Sequence, residues 1–152
     1  MKERKLIVDQ LDRKIREFQN LNDLVIPPEG WIFSIRKAIN MSRRQLSSRM
    51  NITPQGLKQT EEREKSGTVS LNVLRHVARA LDMKFVYGFI PKQLSLQKMI
   101  EQRAEELAAE IVKRTSLTMS LENQKPSDVR LKQAVKEKKE ELSAKIPKYL
   151  WD

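Results

Sequence analysis

Two helix starts stand eleven residues apart in the stretch "SRRQLSSRMNITPQGLKQTEE", Ser42 to Glu62, and that spacing leaves little freedom in how it folds. Ser42-x-x-Gln45 is a capping box, in which the hydroxyl accepts a first-turn backbone N–H and the Gln side chain answers it. Thr53-Pro54 is an N-cap followed by proline at the first helical position, where its missing N–H is no loss. Between them Asn51 tolerates the left-handed conformation that a tight turn needs. The sequence therefore predicts one helix over Ser42–Met50 and a second over Pro54–Glu64, joined by a short turn. Leu46, Met50, Ile52 and Leu57 are the apolar residues that fix their crossing. Ser47 is the small residue where they meet.

The second of these helices has almost no apolar bulk. Only Ile52 and Leu57 are available for packing, so Gln55, Lys58 and Gln59 are expected to point outward, as on a helix that enters the DNA major groove. A Gln amide bonds bidentately to adenine N6 and N7. The chain's 152 residues hold 30 Lys and Arg against 20 Asp and Glu, a net charge of +10, which favours a polyanionic partner. Arg43, Arg44, Arg49 and Lys65 flank the outward face and are candidates to neutralise phosphates. Glu61, Glu62 and Glu64 run against this reading and are expected to face the core or the following loop. Aromatic residues make up 5%, too few for a base-stacking platform. Without cysteine there is no disulfide or thiolate site. His76, the one histidine, has no second ligand at metal spacing and is expected at the surface. With no nucleophile–base set either, neither an enzyme nor a cofactor is expected.

The remaining elements follow from periodicity. Residues Lys5 to Leu21 predict an amphipathic helix with Leu11, Ile15 and Phe18 on its apolar face. "VIPPEG" interrupts it. An apolar stripe then runs through Trp31, Ile32, Ile35, Ala38 and Ile39. Ser70 caps a helix whose inner face is Leu71, Leu74, Val77, Ala78 and Leu81. "KFVYGFI", Lys84 to Ile90, reads as one short strand, whose partner is either Leu24–Ile26 or the same strand of a second subunit. A long amphipathic helix follows, with Leu96, Met99, Ile100, Ala104, Leu107, Ala108, Ile111 and Val112 inward. Arg103 is expected on its solvated face. The layout is an N-terminal helix and connector (1–28), a central domain ending in the strand (29–91), the long helix (92–114) and a charged tail (115–152), helical by propensity or partly disordered. No segment approaches the roughly 20 apolar residues that span a bilayer. The N-terminus has only a three-residue apolar run, so no signal peptide and no membrane partner is expected and a cytoplasmic location is.

Residues Ile35 to Met83, through "MSRRQLSSRMNITPQGLKQTEE" and "SLNVLRHVARALDM", resemble the phage-repressor-like (XRE) helix-turn-helix family. The resemblance implies an all-α, repressor-like bundle of four to five helices with an N-terminal helix, the one short strand and a C-terminal helical extension. It implies a transcriptional regulator that binds double-stranded DNA as a homodimer, on two half-sites about one helical turn apart, and that associates with the nucleoid in that way. By position, Arg43 and Thr53 would contact phosphate, Gln55 and Gln59 base edges, and Lys58 a base or phosphate. "PPEGWIFSIRKAINMS", "GTVSLNVLRHVARALDMKFVYGFIP" and "TMSLENQ" look more closely like the mobile mystery protein A family, over Pro27 to Gln124. Its members are typically encoded beside a Fic-domain protein, of a class that transfers AMP from ATP, which implies an antitoxin-like autorepressor. "TMSLEN", Thr118 to Asn123, resembles the inhibitory helix motif of Fic enzymes and their antitoxins, in which the glutamate pairs with an active-site arginine. Thr118 and Glu122 at i and i+4 share one helix face, and Glu122, with Asn123 beside it, suits a charge-assisted pair with that cation. The alternative is a stand-alone regulator whose tail serves dimerisation.

Overall fold

The computed structural model describes residues 2–121 and 127–152, and these are all-helical, with seven α-helices, two short 3-10 turns and no β-strand. They fall into two compact units, Asp23–Tyr87 and Met1–Asn22 with Gly88–Asp152.

The central unit holds α2 (Trp31–Ala38), α3 (Arg43–Met50), α4 (Pro54–Ser66) and α5 (Leu71–Ala80). Its core is Ile32, Leu46, Met50, Leu57 and Val77, with Met41, Ile52, Leu74, Ala80 and Leu81 partly buried against it. Leu46 and Leu57 are completely enclosed, which stabilises by about 1.5–3 kcal/mol each. The α2 stripe departs from the hydrophobic pattern. Ile32 and Arg36 are buried, while Trp31, Ala38 and Ile39 are exposed. Arg36 turns inward because it has a partner there. Its Nε and Nη2 donate to the two oxygens of the buried Glu61 carboxylate at 2.8 and 3.2 Å, and its Nη1 donates to the Met41 carbonyl at 3.1 Å. Glu64 performs the second polar task. Its carboxylate accepts the first N–H groups of α2, from Trp31 at 2.8 Å and Ile32 at 2.9 Å. Gly30 precedes them at φ +87°, and a Cβ there would come within 2.8 Å of that carboxylate, so the residue has to be glycine on both counts.

The other unit is built from α1 (Lys2–Glu17), a 3-10 turn (Gln19–Leu21), α6 (Leu96–Leu121), α7 (Asp128–Lys145) and a terminal 3-10 turn (Lys148–Trp151). Val8, Ile100, Ala104, Ala108, Leu142 and Leu150 form its core. The fully buried Ala104 and Ala108, one turn apart, give α6 a low-relief surface against its neighbours. The charged tail thus contributes Leu142 and Leu150 to this unit's own core. On α1 the buried residues are Val8 and Asp12, whereas Leu11, expected inside, is exposed. Asp12 is drawn in by the start of α6. Its carboxylate accepts from Leu96 N at 2.7 Å and Gln97 N at 3.1 Å, capping a helix 84 residues away and complementing its dipole. Arg103 is not on a solvated face. Its Nε donates to the Leu150 carbonyl at 2.6 Å and its Nη2 to that of Asp152 at 2.7 Å, which holds the terminal turn onto α6.

The strand expected at Lys84–Ile90 does not form. A strand exists only through a ladder of hydrogen bonds to a neighbour, and among the described residues none pairs with it. Leu24, Val25 and Ile26, the weaker partner, are exposed and irregular as well.

Removing the Glu61 carboxylate leaves Arg36 buried and charged without a partner. Glu61→Ala is expected to cost about 3–5 kcal/mol, measured by denaturant unfolding. A loss below 1 kcal/mol would show that the pair is not buried in solution.

Candidate nucleic-acid interface

The α3–α4 pair is assembled by local hydrogen bonds before any tertiary contact is counted. Ser42 Oγ accepts from Gln45 N at 3.1 Å and Gln45 Oε1 accepts from Ser42 N at 2.8 Å, completing the reciprocal cap of α3. Asn51 ends α3 in the left-handed region, at φ 56° and ψ 40°. Ile52 N then donates back to the Ser47 carbonyl at 3.0 Å. Thr53 Oγ1 accepts from Gly56 N at 3.0 Å, and Pro54 opens α4. Gly56 has a reason as well, since a Cβ there would stand 3.1 Å from that hydroxyl. Ser47 is buried where the two helices meet, its Oγ donating to the Arg44 carbonyl at 3.1 Å.

α4 has two faces with the same spacing. Leu57, Thr60 and Glu61 are buried and Glu64 is half-buried, an inward stripe at i, i+3, i+4 and i+7. Gln55, Lys58, Gln59 and Glu62 are exposed at the same intervals on the opposite side. The three residues expected to read bases therefore share one exposed face. The glutamates divide. Glu61 and Glu64 face inward as expected, but Glu62 does not, and its carboxylate sits on the exposed stripe one turn beyond Lys58 and Gln59. Its position seven residues after Gln55 was the signal for this.

The cations expected at phosphates are in different states. Arg43 is partly committed, with Nε 3.4 Å from the Glu61 carboxylate and its side chain 39% exposed. Lys65, at the far end of α4, pairs with Glu29 at 3.2 Å, both side chains being exposed. Such a pair is worth at most about 1 kcal/mol. Arg49 is exposed and reaches the Ala80 carbonyl at 3.5 Å. Arg44 and Lys58 are exposed, with no ion pair among the described residues. Thr53 uses its oxygen as an acceptor in the cap, and its hydroxyl proton remains a donor. Asn40, Ser42, Arg44, Gln45, Ser48 and Arg49 line an open hollow of about 700 Å³ beside α3, walled largely by polar groups.

Thr118 belongs to the other unit. It is exposed on α6, its Oγ1 donating to the Arg114 carbonyl at 3.1 Å. Glu122 and Asn123 lie outside the described residues. His76 is half-buried on α5 rather than at the open surface. Among the described residues no group of His, Asp and Glu is placed to hold a metal ion, and no helix is long and apolar enough to cross a membrane.

The left-handed turn residue makes a direct prediction. Asn51→Gly should leave stability unchanged within about 0.5 kcal/mol, and Asn51→Val should lower it by roughly 1–2 kcal/mol, read from chemical denaturation midpoints. Equal effects would mean the turn is not left-handed. Comparison of the chain with family models, with curated proteins and with solved structures finds no match.

Proposed function

We propose that this chain is a sequence-specific regulator of transcription that binds double-stranded DNA, with α3, the turn and α4 acting as a helix-turn-helix and α4 lying in the major groove. The observation that carries this is the division of α4. Its inward stripe is fully used in fastening the unit, while Gln55, Lys58 and Gln59 extend outward with no ion-pair or hydrogen-bond partner among the described residues. Gln55 and Gln59 suit adenine edges, and Glu62 on the same stripe suits the N4 amino group of cytosine. Arg44, Arg49, Lys58 and the Thr53 hydroxyl suit phosphates, and Arg43 and Lys65 join them by exchanging their glutamates for the DNA backbone. Two copies then read two half-sites, and binding upstream of the protein's own gene makes it an autorepressor.

The test is a gel-shift titration on the DNA upstream of the gene at two salt concentrations. Affinity should fall with a log–log slope of about −0.9 per phosphate contacted. Gln55→Ala/Gln59→Ala should abolish the preference for that DNA over unrelated sequence. Arg44→Ala should weaken both equally. Wild-type protein that does not prefer the upstream DNA rejects autoregulation, and a double variant that keeps the preference rejects α4 as the reading helix.

A second component of the function is neutralisation of a Fic-domain partner through the Thr118–Asn123 motif. It is supported by the surface leading to that motif, where Thr118 is exposed and Leu117 is 58% exposed. A Fic-domain protein encoded beside this gene should transfer AMP slowly with the wild-type chain present and at its unrestrained rate with Glu122→Gly. Equal rates leave the chain a stand-alone regulator.

A further inference from the structure

Residues 84–90, "KFVYGFI", run without a turn or bend. None of their backbone N–H or C=O groups forms a hydrogen bond with another described residue. The Phe85 and Tyr87 rings stack at 5.9 Å between centroids, the same-face contact that i and i+2 make only on an extended chain. The composition is that of a strand, rich in β-branched and aromatic residues, and three of its large apolar side chains are exposed. Val86 is 57% exposed, Tyr87 56% and Phe89 87%. The unused backbone groups call for another extended chain, because only a strand offers donors and acceptors at the matching interval. Phe85 and Ile90 are half-buried.

The sequence of the segment indicates which chain completes it. A two-fold axis through Tyr87 sets Tyr87 opposite Tyr87 of the partner subunit. It sets Phe85 opposite the partner's Phe89, Val86 opposite the partner's Gly88, and Lys84 opposite the partner's Ile90. One face then holds only aromatic pairs, and no like charges oppose each other. An axis one residue earlier leaves Phe89 opposite Met83, outside the segment, and one residue later sets Phe85 opposite Pro91, which has no N–H to give. The register centred on Tyr87 is the one that uses the whole segment. We propose that residues 84–90 pair antiparallel with the same residues of a second copy, in the register centred on Tyr87, and that this ribbon is the dimer interface.

The absence of cysteine from the chain makes the register measurable. Residues directly opposite in an antiparallel pair have Cα atoms about 4.5–5.5 Å apart, within disulfide reach. Diagonal neighbours stand about 7–8 Å apart, beyond it. Under mild oxidation Tyr87→Cys should therefore give a covalent dimer, and Val86→Cys should remain uncrosslinked. Phe85→Cys and Phe89→Cys should each stay uncrosslinked alone and join when mixed. Circular dichroism checks that every variant retains its helices, and sedimentation should show the wild type as a dimer. A monomeric wild type, a dimer that Tyr87→Cys does not link, or Val86→Cys linking as readily as Tyr87→Cys overturns the proposal. None of these readouts involves DNA, so failure here is distinct from failure of the DNA-binding reading.

Discussion

A single buried carboxylate holds the central unit in register. Glu61 of α4 takes both arms of Arg36 from α2 and is reached by Arg43 from α3, and Arg36 in turn anchors the Met41 carbonyl between α2 and α3. Burying an ion pair is costly unless its geometry is good and its remaining donors are met, and here the contact is bidentate and Nη1 has the Met41 carbonyl as its acceptor. Its main effect is on orientation. A residue on a helix advances about 100° around the axis, so rolling α4 by one position would expose Glu61 and bury Lys58 or Gln59. Glu64, capping α2 from the next turn, opposes the same roll. The outward direction of Gln55, Lys58 and Gln59 is thus set by two acids on the opposite face.

The same arrangement leaves a group of cations in solvent around α3 and α4. On α6 and α7 several cations meet acids at close range, as with Arg114 and Glu110, Lys139 and Glu105, and Lys138 and Lys145 around Glu141. Hydrogen bonds from Lys145 and then Lys138 hold the Glu141 carboxyl below its usual range. Around α3 and α4 Glu61 and Glu64 are turned inward and Glu29 is held in a weak exposed pair, which leaves Glu62 as the exposed acid of α4, and Arg44, Arg49 and Lys58 are exposed. These three cations adjoin the face that carries the glutamines.

What could be read in the sequence was local. The caps at Ser42, Thr53 and Ser70, the left-handed Asn51 and the seam of Leu46, Ser47, Met50 and Leu57 all follow from neighbours within about one turn. The face of α4 was legible for the same reason, since the absence of apolar residues at 55, 58 and 59 is itself a pattern. What escaped was polar and distant. Arg36 and Asp12 occupy inward positions where periodicity asks for an apolar residue, and their partners lie 25 and 84 residues away. Arg103 escaped in the same way, because its acceptors are backbone carbonyls that no pattern marks. Trp31 and Leu11 were placed inside on hydrophobicity alone, and each yielded to a helix orientation fixed by a carboxylate.

The long helix α6 shows how far a hydrophobic pattern can outlast the core it serves. Its buried positions end at Ala108, Ile111 and Val112 are half-buried, and from Lys113 to Met119 the residues other than Ser116 are exposed, Met119 only partly. A helix gains most of its stability from packing an apolar face rather than from propensity, and this stretch keeps Leu117 58% exposed. Carrying a helix past its own core loses the packing term for each added turn unless another surface supplies it.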